Sequence, residues 1–308
     1  MFLRSLPACI AAAILTISPT LVAEEPAGSL KILTTFDYPG EGFGTYPGEM
    51  NENGDVAGYY LDPDGLERGF VRYGDGSFSP PIVPPFGTGS YTAADDINNE
   101  GIICGFFSSP DDTVLHGYFL AGDSFTQFDI DGAISTFIAA LTDSGDFGGY
   151  FETESTSEAY VSLGGALTSF SIPGASFTGV ASMARSGEAI GNYRLGTETT
   201  NHGFIRTPAG ELSFPIDFPG VLGPLGTIVR GLNNRGWIVG GYFDRQSIEH
   251  GFLSTKPGSF IAADVAGAGA TRLTGITDHG LVCGSYVDTS SGRRRGFVAQ
   301  IRRARALQ

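Results

Sequence analysis

A seven-residue pattern, G-x-x-x-G-x-(Tyr/Phe), recurs six times along the chain, beginning at Gly54, Gly101, Gly145, Gly187, Gly236 and Gly280. Its aromatics are Tyr60, Phe107, Phe151, Tyr193, Tyr242 and Tyr286, and the copies follow one another at about 45 residues. A unit of that length cannot bury its own apolar face, so it must stack on its neighbours. Three further markers keep register with the first. Upstream lies T-x-x-x-x-(apolar), anchored by Thr45, Thr92, Thr136, Thr178, Thr227 and Thr271. Downstream come pairs such as His116-Gly117-Tyr118, His202-Gly203-Phe204 and His250-Gly251-Phe252. A D-x-P-G turn follows, clearest at Asp37-Tyr38-Pro39-Gly40 and Asp217-Phe218-Pro219-Gly220.

Each copy reads as four short strands. Segments such as Asn233-Asn234-Arg235-Gly236 are turn chemistry between two apolar runs, because Asn and Gly tolerate positive φ. Both glycines of the motif and its aromatic are spaced by even numbers, which predicts that they share one face of the second strand. Four strands per copy and six copies predict an all-β chain, a six-bladed β-propeller of four-stranded blades. Leu30–Phe36 matches a fourth strand, while the sixth copy stops after its third strand near Gln300. The N-terminal strand is therefore expected to complete the last blade and remove the free edges.

Composition agrees with this reading. Glycine, at 46 of 308 residues, has no three-residue period, and 23 Phe with 12 Tyr can build a core, so neither collagen nor disorder fits. With one Trp and no Trp-Asp dipeptide, the chain is not a tryptophan-aspartate propeller. Residues 1–23 read as a secretory signal peptide, with Arg4 ahead of an apolar run and a small residue, Ala23, at its end. No later run is long enough to span a membrane as a helix. The expected organisation is a signal peptide over 1–23, one propeller domain over 24–300 and a basic tail over 301–308. The mature protein is expected to be a secreted or periplasmic monomer.

The units Leu232-Asn233-Asn234-Arg235-Gly236-Trp237-Ile238-Val239-Gly240, His250-Gly251-Phe252 and Asp217-Phe218-Pro219-Gly220 resemble the HAF-type repeats of bacterial extracellular proteins. The resemblance covers essentially all of residues 30–300. It implies export and a propeller-like β architecture, and it carries no shared activity. The third and fourth copies depart most, with Ala159-Tyr160 in place of His-Gly-Phe and Met183-Ala184-Arg185 in place of Leu-Asn-Asn.

The repeat also constrains where a site can lie. His116, His202 and His250 occupy one slot, filled elsewhere by Arg68, Glu158 and Arg295. Equivalent slots lie far apart around a ring, so a polar residue bonding nearby backbone is expected and a metal site is not. Cys104 and Cys283 share the slot before the second glycine, in copies two and six, and are expected to be buried free thiols. The acidic loops Asp62-Pro63-Asp64-Gly65 and Asp111-Asp112 lack the ligand spacing of a calcium loop and read as turns. No phosphate loop, nucleophile elbow or zincin motif is present, so no catalytic residue is assigned and no cofactor is expected.

Sites that vary within a regular unit are better candidates. The Thr-anchored strand is expected to be innermost, with positions one and three after the Thr facing the central channel. Those positions carry Tyr46 and Gly48, Ala93 and Asp95, Phe137 and Ala139, Gly179 and Ala181, Ile228 and Arg230, Arg272 and Thr274. Tyr46, Asp95, Arg230 and Arg272 are the candidate ligand-binding residues, an aromatic platform with mixed charge. The competing reading is that these charges pair with one another or face water.

All 33 acids lie between residues 24 and 292 beside 11 bases, and six arginines follow without an acid: Arg293, Arg294, Arg295, Arg302, Arg303 and Arg305. Such a body repels nucleic acid, and the arginines are expected to clamp onto it or stay solvated. The favoured function is a non-catalytic exported module binding a glycan, a peptide or a cell-envelope component. The alternative is a glycan-active enzyme. A hydrolase would use Glu49 or Asp96 with Asp95, and a lyase a Tyr or His base with Arg230 and Arg272 as neutralisers. A purely structural envelope component is the third class.

Overall fold

The computed structural model describes residues 30–40, 42–85, 91–108, 114–220 and 223–301. The signal segment, the Asp111-Asp112 loop and the last three arginines lie outside the described residues. Among the described residues every regular element is a β-strand. The second copy shows the plan: Thr92–Ile97, Ile103–Ser108, Leu115–Ala121 and Ser124–Phe128 form an antiparallel meander. The copies that begin with Ser135–Leu141, Ala175–Met183 and Thr227–Leu232 repeat it. In the sixth copy, Thr271–Ile276, Leu281–Val287 and Arg294–Ile301 are joined by Leu30–Phe36, which runs antiparallel to Arg294–Ile301 from Leu30 opposite Ile301 to Phe36 opposite Gly296.

The first copy departs from the four-strand plan. After Gly44–Met50, Val56–Leu61 and Glu67–Arg72 it has only the isolated bridges Gly69–Ile82 and Arg72–Phe78. Pro80, Pro81, Pro84 and Pro85 occupy this stretch, and proline cannot donate to a ladder.

The two motif glycines do different things, which corrects the shared-face expectation. All six first glycines sit in turns at positive φ, between 73° and 84°. Each turn is closed by the same pair of backbone bonds, as in Gly236 N–H to Asn233 O and Asn233 N–H to Trp237 O. The fourth copy keeps both bonds with Ala184 in the Asn position, so its altered sequence leaves the turn intact. The second glycines lie in strands. A Cβ on any of them would stand within about 2.5 Å of a carbonyl oxygen on the first strand, that of Tyr46, Ala93, Phe137, Gly179, Ile228 or Arg272. Next to each of these places a bulge interrupts the pairing of the first and second strands.

The anchoring threonines are all buried. Five accept a hydrogen bond from the backbone N–H that follows the Asp or Ser of the preceding turn: Tyr38 to Thr45, Ile130 to Thr136, Ile172 to Thr178, Phe218 to Thr227 and Val265 to Thr271. Thr92 takes the N–H of Gly69 instead, in keeping with the irregular end of the first copy. The turn aromatics pack on the next copy, with Tyr38 stacked on Tyr60 at 3.9 Å and Phe218 on Tyr242 at 3.7 Å.

The histidine slot has a specific partner, and it is a carboxylate rather than backbone. His116 bonds Asp129, His202 bonds Asp217 and His250 bonds Asp264, each through Nδ1 to the aspartate ending the fourth strand of its own copy. Arg295 makes the corresponding pair with Asp37 across 258 residues of sequence. Where the slot holds Glu158, the turn holds Ser171, so no like-charge pair arises.

A second set of bonds links the copies at their first turns. Glu52 N–H reaches Asn99, and Asn99 binds Asp143 through backbone and side chain. Asp143 also receives Arg185, whose N–H reaches Asn234. Asn234 binds Asp278, whose own N–H returns to Glu52.

Candidate functional site

The first strands of all six copies line one central cavity of about 330 Å³. The bulges explain which side chains enter it. In five of the six first strands the residue three after the Thr is left out of the ladder at this bulge, and in the first copy both Gly48 and Glu49 are. Asp95 lies between the pairs Ala94–Gly105 and Asp96–Cys104, and Arg230 between Val229–Gly240 and Gly231–Val239. A bulge re-aims a side chain, and here it turns Asp95 and Arg230 inward. Tyr46 and Arg272, one residue after their threonines, reach the same space, so the four candidate residues border a single cavity.

The cavity has two unlike sides. One is aromatic: Phe137 stacks on Tyr150 at 4.2 Å, with Phe106 edge-on to Phe137 at 5.2 Å and Phe177 edge-on to Tyr150 at 5.3 Å. Tyr46 and Tyr59 form a second stacked pair at 4.8 Å. Burial pushes the Tyr59 and Tyr150 hydroxyls above the ordinary tyrosine range, so both stay protonated and able to donate.

The other side is cationic and centres on a residue that the repeat pattern alone does not single out. Glu249, only 4% exposed, accepts Arg230 at 2.7 Å and Arg272 at 3.0 Å. Burial alone would raise its pKa, but the two guanidinium groups outweigh burial and hold it below the usual carboxylate value. Burial pushes Arg230 down to about 10, well above neutrality, so the group is charged. Its Nη1 is buried and has no hydrogen-bond partner. Arg294 stands beside them, donating to Ser285 at 3.0 Å with its guanidinium carbon 5.9 Å from the Tyr46 ring centre. Arg230 and Arg272 are thus paired, but with Glu249 rather than across the channel with Asp95. Two arginines share one carboxylate there and a third stands close by.

Glu249 and Arg294 occupy the slot immediately before the His/Arg position, where the other copies carry Glu67, Leu115, Ser157 and Asn201. Variation at that slot was the available signal. Asp95 is raised to about 7 by burial first, then by Glu67 and Asp96. Asp96 does not face the cavity; its carboxylate accepts the backbone N–H groups of Ile97 and Leu141, each at 2.7 Å. Glu49 is buried between the cavity and a smaller space of about 80 Å³ on the opposite side, and burial raises its pKa. Of the hydrolase candidates, Asp96 is committed to backbone, while Asp95 and Glu49 border the cavity. Cys104 and Cys283 are buried free thiols in different copies; burial raises both, Cys283 to about 12.

No protein-family model matches the sequence, and no curated protein does. Solved structures do resemble the fold. A proposed gluconolactonase is 14% identical, with 94% of this chain and 99% of that chain covered at a TM-score of 0.52. The SapL1 lectin, solved in complex with alpha methyl fucoside, is also 14% identical, with 86% and 98% covered at 0.51. A structure from a study of two prolyl endopeptidases is 12% identical over 83% of this chain but only 47% of that one, at 0.50. At these identities the likeness concerns the fold, which is all-β and propeller-like.

Proposed function

We propose that the chain is an exported six-bladed propeller that binds the end of a saccharide in its central cavity without carrying out chemistry on it. The observation that carries this reading is the aromatic wall of Phe106, Phe137, Tyr150 and Phe177 across one cavity from Arg230 and Arg272. A sugar ring presents apolar C–H faces that suit aromatic surfaces and a rim of hydroxyls that suit fixed donors. A cavity of about 330 Å³ lies at the small end of ligand sites and favours a chain end over a chain interior. The lectin with a fucoside offers a precedent for saccharide binding on a related architecture. Six blades closed by the N-terminal strand are supported by the register of Leu30–Phe36 on Arg294–Ile301, by the Arg295–Asp37 pair and by the bond from Asp278 back to Glu52. Export rests on the sequence of residues 1–23.

A glycan array probed with the mature protein, run beside a polysaccharide-degradation screen for reducing ends and unsaturated products, tests the reading. Retention of a defined set of glycans without product release is expected. Product release that disappears in Asp95→Asn would replace binding by catalysis, with Asp95, poised near neutrality, as the acid or base.

A further inference from the structure

We infer that the cavity selects a carboxylate-bearing sugar, with the carboxylate docked at Arg230, Arg272 and Arg294 and the ring lying toward the Phe137–Tyr150 wall. This rests on the saccharide reading above and specifies its ligand class. Charge decides it. Around the cationic side stand three guanidinium groups and one ionised carboxylate, Glu249, which is already shared by two of them. The other carboxyl groups bordering the cavity, Asp95 and Glu49, are both raised by burial, and neither is paired with the arginines. A net positive pocket inside a chain of formal charge −15 is unexpected unless something anionic enters it.

Geometry agrees. Arg230 is only 16% exposed, and its Nη1 is buried without a hydrogen-bond partner although it belongs to a side chain that lines the cavity. Glu249 is shared between two guanidinium groups and offsets their charge only in part, and a carboxylate in the cavity would offset the remainder. Arg272, 30% exposed and held through Nε by Glu249, lines the same space. A planar carboxylate suits such paired forks better than an alcohol does, because it accepts two parallel bonds and carries charge. Neutral saccharides would leave that excess charge uncompensated.

Isothermal titration of the mature protein with four probes tests this: D-glucuronate, D-glucose, a galacturonate tetrasaccharide and its neutral galactose counterpart. The two acidic probes separate a free sugar acid from a chain end. At least tenfold tighter binding of an acidic probe than of its neutral counterpart is expected. Arg294→Gln is expected to lower that preference at least threefold, and because Arg294 lies outside the Glu249 pairs its loss leaves no buried carboxylate unpartnered. The charge-neutral double variant Arg230→Gln/Glu249→Gln serves as a second probe of the same pocket and is expected to abolish most of the preference. Equal or tighter binding of the neutral probes would overturn the carboxylate inference while keeping the saccharide reading. Binding of no probe would overturn the inference, and an empty glycan array beside it would overturn the saccharide reading as well.

Discussion

A Cβ added to Gly240 would stand 2.1 Å from the carbonyl oxygen of Ile228, whereas one added to Gly236 would meet nothing within 4 Å but would sit at φ +73°. The two glycines therefore carry different costs. Gly236→Ala should lose about 1–2 kcal/mol, the strain of an L-residue in the left-handed region. Gly240→Ala should lose about 3 kcal/mol or more, because the bulged strand must move away. Denaturant midpoints of the two variants check the order, and a larger loss at Gly236 would contradict it. Asp95 offers a second test. Its folded pKa of about 7 lies above that of an unfolded aspartate, so the folded state holds the extra proton between about pH 4 and 7, and stability falls as pH rises through that window. His250 adds to the same trend: burial opposes its charge, but Asp264 and Asp244 outweigh burial and raise its pKa, so its contribution is present at acid pH and lost as pH rises. Asp95→Asn should raise the thermal midpoint by about 3 °C or more at pH 8 and leave it unchanged at pH 4. An equal shift at both values would mean that Asp95 is not a titrating residue of the cavity.

The strand is the scale at which the repeat becomes architecture. The sixth copy borrows Leu30–Phe36 as its outer strand, and Phe36 packs with Met50, Val56, Phe70 and Val298 in one buried cluster. Removing residues up to Phe36 from the mature protein would bare the edge of Arg294–Ile301 and take away a core aromatic. The truncated chain should unfold at least 10 °C lower and associate in size-exclusion chromatography, as exposed strand edges do. A monomer with unchanged stability would contradict the role given to that strand. Much of this was legible in the sequence, because turn residues and period-two strands are local signals: the six turns, the Thr-anchored inner strands and the four residues bordering the cavity all follow from register. The bulges were not legible, since they go with the close approach of the first strand's own carbonyl groups, those of Ala93 and Ile228, to Gly105 and Gly240, a tertiary feature. Glu249 was missed for a related reason. It reaches the cavity-lining arginines from the third strand, and its importance comes from Arg230 and Arg272 on two different copies. The missing fourth strand of the first copy could have been read from the prolines at 80, 81, 84 and 85.

Across the molecule, bonds between neighbouring copies tie each turn to the next, so partial opening of one copy removes partners from two others. Unfolding is expected to be a single transition. Cys104 and Cys283, in separate copies and fully buried, report on it. Both thiols should resist a disulfide reagent in the native protein and become reactive together at the same denaturant concentration. Reaction of one well before the other would show that the copies open independently. The acidic body and the cationic cavity belong to this scale too, because long-range repulsion of anions is set by the whole chain and local attraction by three arginines. The most direct test of the account is a crystal structure of the mature protein with the tightest saccharide from the array. One sugar ring is expected in the central cavity, against Phe137 and Tyr150 and within hydrogen-bond distance of Arg230, Arg272 or Arg294. A saccharide bound outside that cavity, with the cavity holding only solvent, would contradict it.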